Sequence, residues 1–124
     1  MSLFRKKKGN FGEDLAISYL KKQKYDILER NFRLRNGEID IIALDKSSKE
    51  HVLTFVEVKT RSSDEYGLAR EAINTWKLQA LQRTALFYKQ FHTDLPDLMR
   101  IDLVAIQLDA DKGNSTIEHI KNIS

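Results

Sequence analysis

Val52-Leu53-Thr54-Phe55-Val56-Glu57-Val58-Lys59-Thr60 reads as a buried strand, dense in Val, Phe and Thr, yet it carries a carboxylate and an ammonium two residues apart. Side chains alternate along a strand, so Glu57 and Lys59 point to one face, which Leu53 and Phe55 share. Charges are seldom set into an apolar strand unless they are paired or bind a metal. Upstream, Gly37-Glu38-Ile39-Asp40-Ile41-Ile42-Ala43-Leu44 is a second apolar strand pattern with Asp40 in its middle. Opposed strands lie about 5 Å apart, close enough to bring Asp40 beside Glu57.

Around these two segments the chain reads as helix, three strands, helix, and one or two strands. Residues 10–23 carry an apolar stripe of Leu15, Ala16, Ile17, Tyr19 and Leu20, with Asn10 and Glu13 spaced as a capping box. Residues 25–34 suggest a strand, and Asn36-Gly37 is a strong hairpin signal before the strand at 38–45. The third strand is expected over 51–60 and a loop over 61–67. A helical region follows from Ala69 to Phe91, interrupted near Asn74-Thr75, with Trp76, Leu78, Leu81, Ala85, Leu86 and Tyr88 supplying its apolar surface. Leu95-Pro96 breaks the chain before a strand at 99–108; a turn at Asp111-Lys112-Gly113-Asn114 leads to a short edge strand over 116–123. A strand meander followed by a helical crossover predicts an α/β fold, a mixed central sheet flanked by helices.

The 124 residues fit a single domain, 1–124, in which 1–8 is expected to be a flexible basic tail. There is no cysteine, which excludes disulfides, zinc-thiolate sites and cysteine nucleophiles and fits a reducing cytoplasm. No apolar run reaches the length of a membrane span, and Arg5-Lys6-Lys7-Lys8 is not followed by the apolar segment of a secretory signal. The net charge of +3 is uneven: residues 1–36 hold ten Lys/Arg against four Asp/Glu, a balance of +6. A basic first third suits nucleic acid, and equally an ordinary solvated surface.

Asp, Glu and Lys brought to one point by two strands have the chemistry of metal-assisted phosphodiester cleavage. Glu57 would ligate a hard cation such as Mg²⁺, and Lys59 would orient the attacking water or offset charge on the phosphate. The alternative is a cross-strand salt bridge. Asp40 taken alone is better explained as a hydrogen-bonded core carboxylate or a surface Asp near the turn. Glu13 lines up with Ile17 and Leu20, which turns it towards the core, but taken alone its capping role with Asn10 is the better reading. His51, His92 and His119 lack ligand spacing. Trp76, Tyr88 and Phe91 read as core rather than as base-stacking platforms, and Lys77 and Arg83 as solvated cations. Arg100 and Asp102 share a strand face and read as a structural ion pair, with phosphate contact by Arg100 the minority view.

Asp40 followed by Glu57-Val58-Lys59 resembles the PD-(D/E)xK signature of the restriction-endonuclease-like nucleases, with Ile39 where the signature has Pro. Gly12-Glu13-Asp14-x-Ala16, Arg30-Asn31-Phe32-Arg33, Gly37-Glu38-Ile39-Asp40-Ile41-Ile42, Phe55 to Arg61 and Arg100-Ile101-Asp102 together resemble the bacterial YraN-like family of predicted endonucleases, which is similar to archaeal Holliday junction resolvases. The resemblance runs from about residue 9 to the end. It implies a nuclease-like core, metal-binding carboxylates at Asp40 and Glu57, a catalytic lysine at Lys59 and a first-helix acidic residue at Glu13. It also implies Mg²⁺ or Mn²⁺ as cofactor, DNA including branched DNA as substrate, and a homodimer, because a junction must be cut at two symmetric places. The competing readings are a non-catalytic nucleic-acid-binding module of the same fold and an RNA-directed nuclease.

Overall fold

The apolar runs at 38–45, 51–60 and 99–108 form the centre of one mixed sheet, as their near-continuous hydrophobicity requires of strands covered on both faces. A computed structural model describes residues 3–62, 67–109 and 112–124, with side chains from residue 11 onward. Its elements are α1 (Leu3–Lys22), β1 (Tyr25–Leu34), β2 (Gly37–Asp45), β3 (Val52–Ser62), a 3₁₀ turn (Ala69–Ala72), α2 (Thr75–Gln90), β4 (Met99–Asp109) and β5 (Asn114–Ile120). The spatial order of the five strands is the chain order. Neighbours are antiparallel except β3 and β4, which the α2 crossover joins in parallel. This is the α/β architecture expected from the sequence, and it is consistent with a restriction-endonuclease-like core. Among the described residues no helix is long and apolar enough to cross a membrane.

Each face of the sheet has its own helix. Ala16 and Leu20 of α1 pack with Ile41, Val56 and Val104. Leu81, Ala85 and Tyr88 of α2 pack with Ile42, Phe55 and Leu103 on the other face. Strand alternation produces this division, since Val56 and Phe55 are neighbours in sequence and face opposite helices.

Three expectations are corrected. Helix α1 begins at Leu3 rather than at residue 10, so Asn10 lies inside the helix where it cannot cap it. The run from Arg5 to Lys8 consists of good helix formers, enough to carry the helix across Gly9-Asn10; the side chains of that run lie outside the described residues. The expected break before α2 is present, and Asn74 caps the helix by accepting from the Lys77 amide at 2.8 Å. The apolar surface of α2 is only partly core, however. Trp76, Leu86 and Phe91 are exposed. Trp76 and Leu86 fall off the stripe set by Leu81, Ala85 and Tyr88, and Phe91 follows the last helical residue. Of the expected loop at 61–67, Arg61 and Ser62 extend β3, and 63–66 lie outside the described residues, as does Asp111 of the expected turn.

Helix α1 approaches β3 closely at one point. A methyl group at Gly12 would overlap the Thr60 hydroxyl. The missing side chain lets the helix lie against the strand and sets Glu13 beside the end of the sheet. Gly12→Ala is therefore expected to destabilise the protein by about 1–3 kcal/mol through overpacking. In a Thr60→Ala background the same change should cost much less, because the hydroxyl overlap is gone and only a tight 3.1 Å contact with the Cβ of residue 60 remains, offset by the better helix propensity of Ala. Thermal unfolding of the two single variants and the double variant measures this coupling, and strict additivity would contradict it.

Candidate active site at the opening between β2 and β3

Strands β2 and β3 pair from Asp45↔Val52 to Ile41↔Val56. Beyond that point they part. The remainder of β2 stays with β1, as in Ile39↔Phe32, and the remainder of β3 stays with β4, as in Glu57↔Leu103 and Lys59↔Ala105. Asp40 sits at the fork. Its Oδ2 accepts a hydrogen bond from the Val58 amide at 2.8 Å, taking the place of the strand partner that Val58 lacks on that side.

A local twist creates the fork. Asn31 adopts a left-handed conformation, φ 54°. It and Asp40 fall between the paired residues Arg30↔Ile41 and Phe32↔Ile39. Across this step both strands change face: Ile41 belongs to the α1 layer and Ile39 to the α2 layer. Arg30 accordingly reaches α1, with its guanidinium 3.6 Å from Glu13 Oε1 and 3.0 Å from Asp14 Oδ1, while Phe32 packs edge-on against Tyr88 of α2. Asparagine tolerates the left-handed region better than most residues, and that is the signal Arg30-Asn31-Phe32 carried.

Glu57 is 8% exposed and faces α2, as its alternation with Phe55 requires. Lys77 Nζ lies 3.6 Å from Glu57 Oε1. The Asn74 cap fixes the Lys77 backbone in the first turn of α2 and so helps aim the side chain. Glu57 Oε2 and Glu13 Oε1 are buried without a hydrogen-bond partner. Lys59 lies on the face of Glu57, as expected, but is exposed and ion-paired with none of these carboxylates. Asp40 and Glu57 thus meet at the fork. Glu13 stands near enough to repel a charge on Asp40 from the α1 side, and Lys77 attracts one from the α2 side. In the sequence alone Lys77 reads as a solvated cation, and nothing there signals the contact of Arg30 with α1.

Burial raises the Asp40 carboxyl above its ordinary range, and repulsion from Glu13 and Glu38 adds to it, against the opposing pull of the Val58 amide and Lys77. Burial likewise raises Glu57, with Asp40 as the next contributor and Lys77 opposing. The pair therefore titrates as a unit and retains a proton above the usual carboxylate range. Bringing a cation between the two would relieve both the repulsion and the orphaned Glu57 oxygen. Among the described residues, no three carboxylate or imidazole groups gather closely enough to enclose an ion by themselves. That donor set fits Mg²⁺ or Mn²⁺, of which Mg²⁺ commonly takes one or two protein carboxylates and keeps waters or substrate phosphate oxygens as its other ligands.

Arg100 lies outside this site. Its guanidinium donates to Asp102 at 2.7 Å, Asp45 at 2.8 Å and the Tyr25 hydroxyl at 2.7 Å. Fully buried Asp102 also accepts from Tyr25, the Asn122 amide and His119. Burial alone would raise Asp102, but the hydrogen bonds from His119, Arg100 and Asn122 outweigh it and hold the carboxyl below its ordinary range. The structural ion pair expected of Arg100 and Asp102 is present, and it leaves Arg100 committed within the fold.

The features together define a mixed α/β protein with a carboxylate pair and a lysine where two central strands separate. The chain belongs to the uncharacterised protein family UPF0102, whose model matches residues 12–106. It is 41% identical over 122 residues to a UPF0102 protein of Geobacter metallireducens, covering 98% of this chain and 95% of the relative. A UPF0102 protein of Clostridium acetobutylicum is also 41% identical, covering 98% and 97%. One from Clostridium botulinum is 43% identical over 117 residues, covering 92% and 90%.

The raised carboxyls set a pH dependence whose sign follows from proton counting. Between about pH 4, where free carboxylates ionise, and the raised titration of the pair, the folded protein binds more protons than the unfolded chain. Stability of the metal-free protein should therefore fall as pH rises from about 5 to 8. Asp45 and Asp102, both lowered, act with the opposite sign and only at lower pH, where protonation removes their contribution. Asp40→Asn keeps an acceptor for Val58, removes one charge and should flatten the decline. Saturating Mn²⁺, at about 100 times its dissociation constant, should stabilise wild type at pH 7.5 by about 2.7 kcal/mol and the variant much less. Melting temperatures across pH, with and without Mn²⁺, measure this; equal Mn²⁺ stabilisation of both proteins would contradict it.

Proposed function

We propose that the protein is a Mg²⁺- or Mn²⁺-dependent endonuclease that hydrolyses phosphodiester bonds in DNA, including branched DNA. The observation that carries this reading is the meeting of Asp40 and Glu57 at the fork, with an unpartnered carboxylate oxygen and with Lys59 on the face of Glu57. The resemblance of Asp40 and Glu57-Val58-Lys59 to the PD-(D/E)xK pattern, and of the whole chain to proteins similar to archaeal junction resolvases, supports the same class. Asp40 and Glu57 would hold the cation. When bound, such an ion supplies Lewis-acid charge to a phosphoryl oxygen and lowers the pKa of a water.

The chain's own residues have separable tasks. The Val58 amide keeps one Asp40 oxygen fixed and leaves the other available. Lys77 orients Glu57 through Oε1. Glu13 adds negative potential from α1 and strengthens the demand for a cation. Lys59 is unpaired among the described residues and exposed, so its ammonium can meet a phosphate as negative charge develops there. A four-way junction has two symmetric cleavage points, so action on it calls for two copies of the chain. The cysteine-free composition suits a cytoplasmic setting.

One observation favours the alternative, a binding module that does not cut: the Lys77–Glu57 ion pair already neutralises part of the charge that a cation would otherwise satisfy. The two readings separate on a panel of linear, nicked, flapped and four-way DNA together with RNA, each with Mg²⁺ and Mn²⁺. Wild type should cut, lose activity with a chelator and recover it with either ion. Lys59→Ala should reduce cleavage by about 10²–10³ or more while binding survives, because other cations share that task. Undiminished cleavage by Lys59→Ala would contradict the assignment, and binding without cleavage across the panel would establish the module.

A further inference from the structure

A trough runs between the β1–β2 hairpin and α2. Two concavities of ≈ 350 and ≈ 380 Å³ meet at Leu34, Arg35 and Asn36. Lys77 lines the first and also pairs with Glu57, so one end of the trough opens beside the carboxylate site. Its cations are Arg33, Arg35, Lys77 and Arg83; Arg33 pairs with Glu38, the single lining carboxylate, at 3.4 Å and Lys77 pairs with Glu57, so Arg35 and Arg83 are left without an ion-pair partner among the described residues. Trp76, 75% exposed, stands at the end near the carboxylates. Phe87 stands at the other, packed on Phe91 with ring centroids 4.9 Å apart. Helix rise separates Trp76 from Phe87 by about 16 Å. Gly37 keeps the hairpin against α2, since a methyl group there would overlap the Thr84 hydroxyl.

Exposed aromatic rings among guanidinium groups are the composition that binds unpaired nucleotides: bases stack on the rings, and phosphates meet the cations. A duplex offers no free base face to Trp76. A protein partner fits less well, because the centre of a protein interface is depleted of charge and this trough keeps two unpaired guanidinium groups, Arg35 and Arg83, along its length. We infer that the trough binds a short run of unpaired nucleic-acid strand, with Trp76 as a stacking platform next to the carboxylates. The inference rests on the nucleic-acid reading of the site and specifies which part of the substrate lies beside it.

Trp76 is the sole tryptophan of the chain, so its emission reports the trough directly. Oligothymidylate added with a chelator present should quench that emission saturably, and the affinity should weaken as salt rises. A blunt duplex of the same length should leave the emission unchanged. By anisotropy of the labelled oligonucleotide, Trp76→Ala should bind about 5- to 100-fold more weakly, with Trp76→Phe close to wild type. Arg35→Ala and Arg83→Ala should each weaken binding and flatten the salt slope. The exposure of Trp76 makes its replacement compatible with folding, which circular dichroism checks. No binding of the oligonucleotide, binding that leaves Trp76 emission unchanged, or wild-type affinity in Trp76→Ala would each overturn the inference. Metal-dependent cutting with an unresponsive Trp76 would remove the trough and keep the nuclease; quenching without cutting on any substrate would do the reverse.

Discussion

The hydrogen bond from the Val58 amide to Asp40 is the contact on which the site depends. Where two antiparallel strands part, each exposes backbone groups that must find partners. Here a side chain supplies one of them. Asp40 satisfies β3 from β2, and in doing so it is held close to Glu57. Much of the site's character follows: two carboxyls brought into a low-dielectric fork, an oxygen left without a partner, and a preference for protonation that a divalent cation could replace. The left-handed Asn31 lies opposite Asp40, at the level where β1 and β2 change face.

The two ends of the sheet handle buried charge in opposite ways. Around Arg100 every carboxylate has strong donors, and Asp45, Asp102, Tyr25 and His119 tie together β1, β2, β4 and β5. Breaking a buried network of that kind commonly costs about 3–5 kcal/mol. At the fork each carboxylate has one partner, the Val58 amide for Asp40, Lys77 for Glu57 and Arg30 for Glu13, so buried oxygens are left without hydrogen bonds and charge repulsion remains in the folded state. A stable far end allows the near end to carry that strain, an arrangement common where a binding site must stay incomplete until its ligand arrives.

Much of this was legible in the sequence. The strand alternation of Val52 to Thr60 gave Glu57 and Lys59 a common face, Asn36-Gly37 gave the hairpin, and the apolar runs gave a sheet covered on both sides. The fork itself was not legible, since it depends on a backbone conformation at Asn31 and on where pairing stops, which strand patterns do not encode. Lys77 was hidden for a related reason: a helix cation looks solvated until the crossover brings α2 across the sheet. Trp76 was misread as core because helical spacing marks several stripes, and only packing selects the one that is buried. The start of α1 was misjudged because a local capping pattern at Asn10 competed with helix-forming residues before it.

The proposed nuclease requires a divalent cation held at the fork between β2 and β3 through Asp40 and Glu57. Diffraction from crystals grown in millimolar Mn²⁺, with data collected at the manganese edge, tests it most directly. One anomalous peak is expected at the fork, within bonding distance of a carboxylate oxygen from each residue, with the Val58–Asp40 hydrogen bond retained. A fork without a peak, while Mn²⁺ is bound elsewhere or nowhere on the chain, would contradict it.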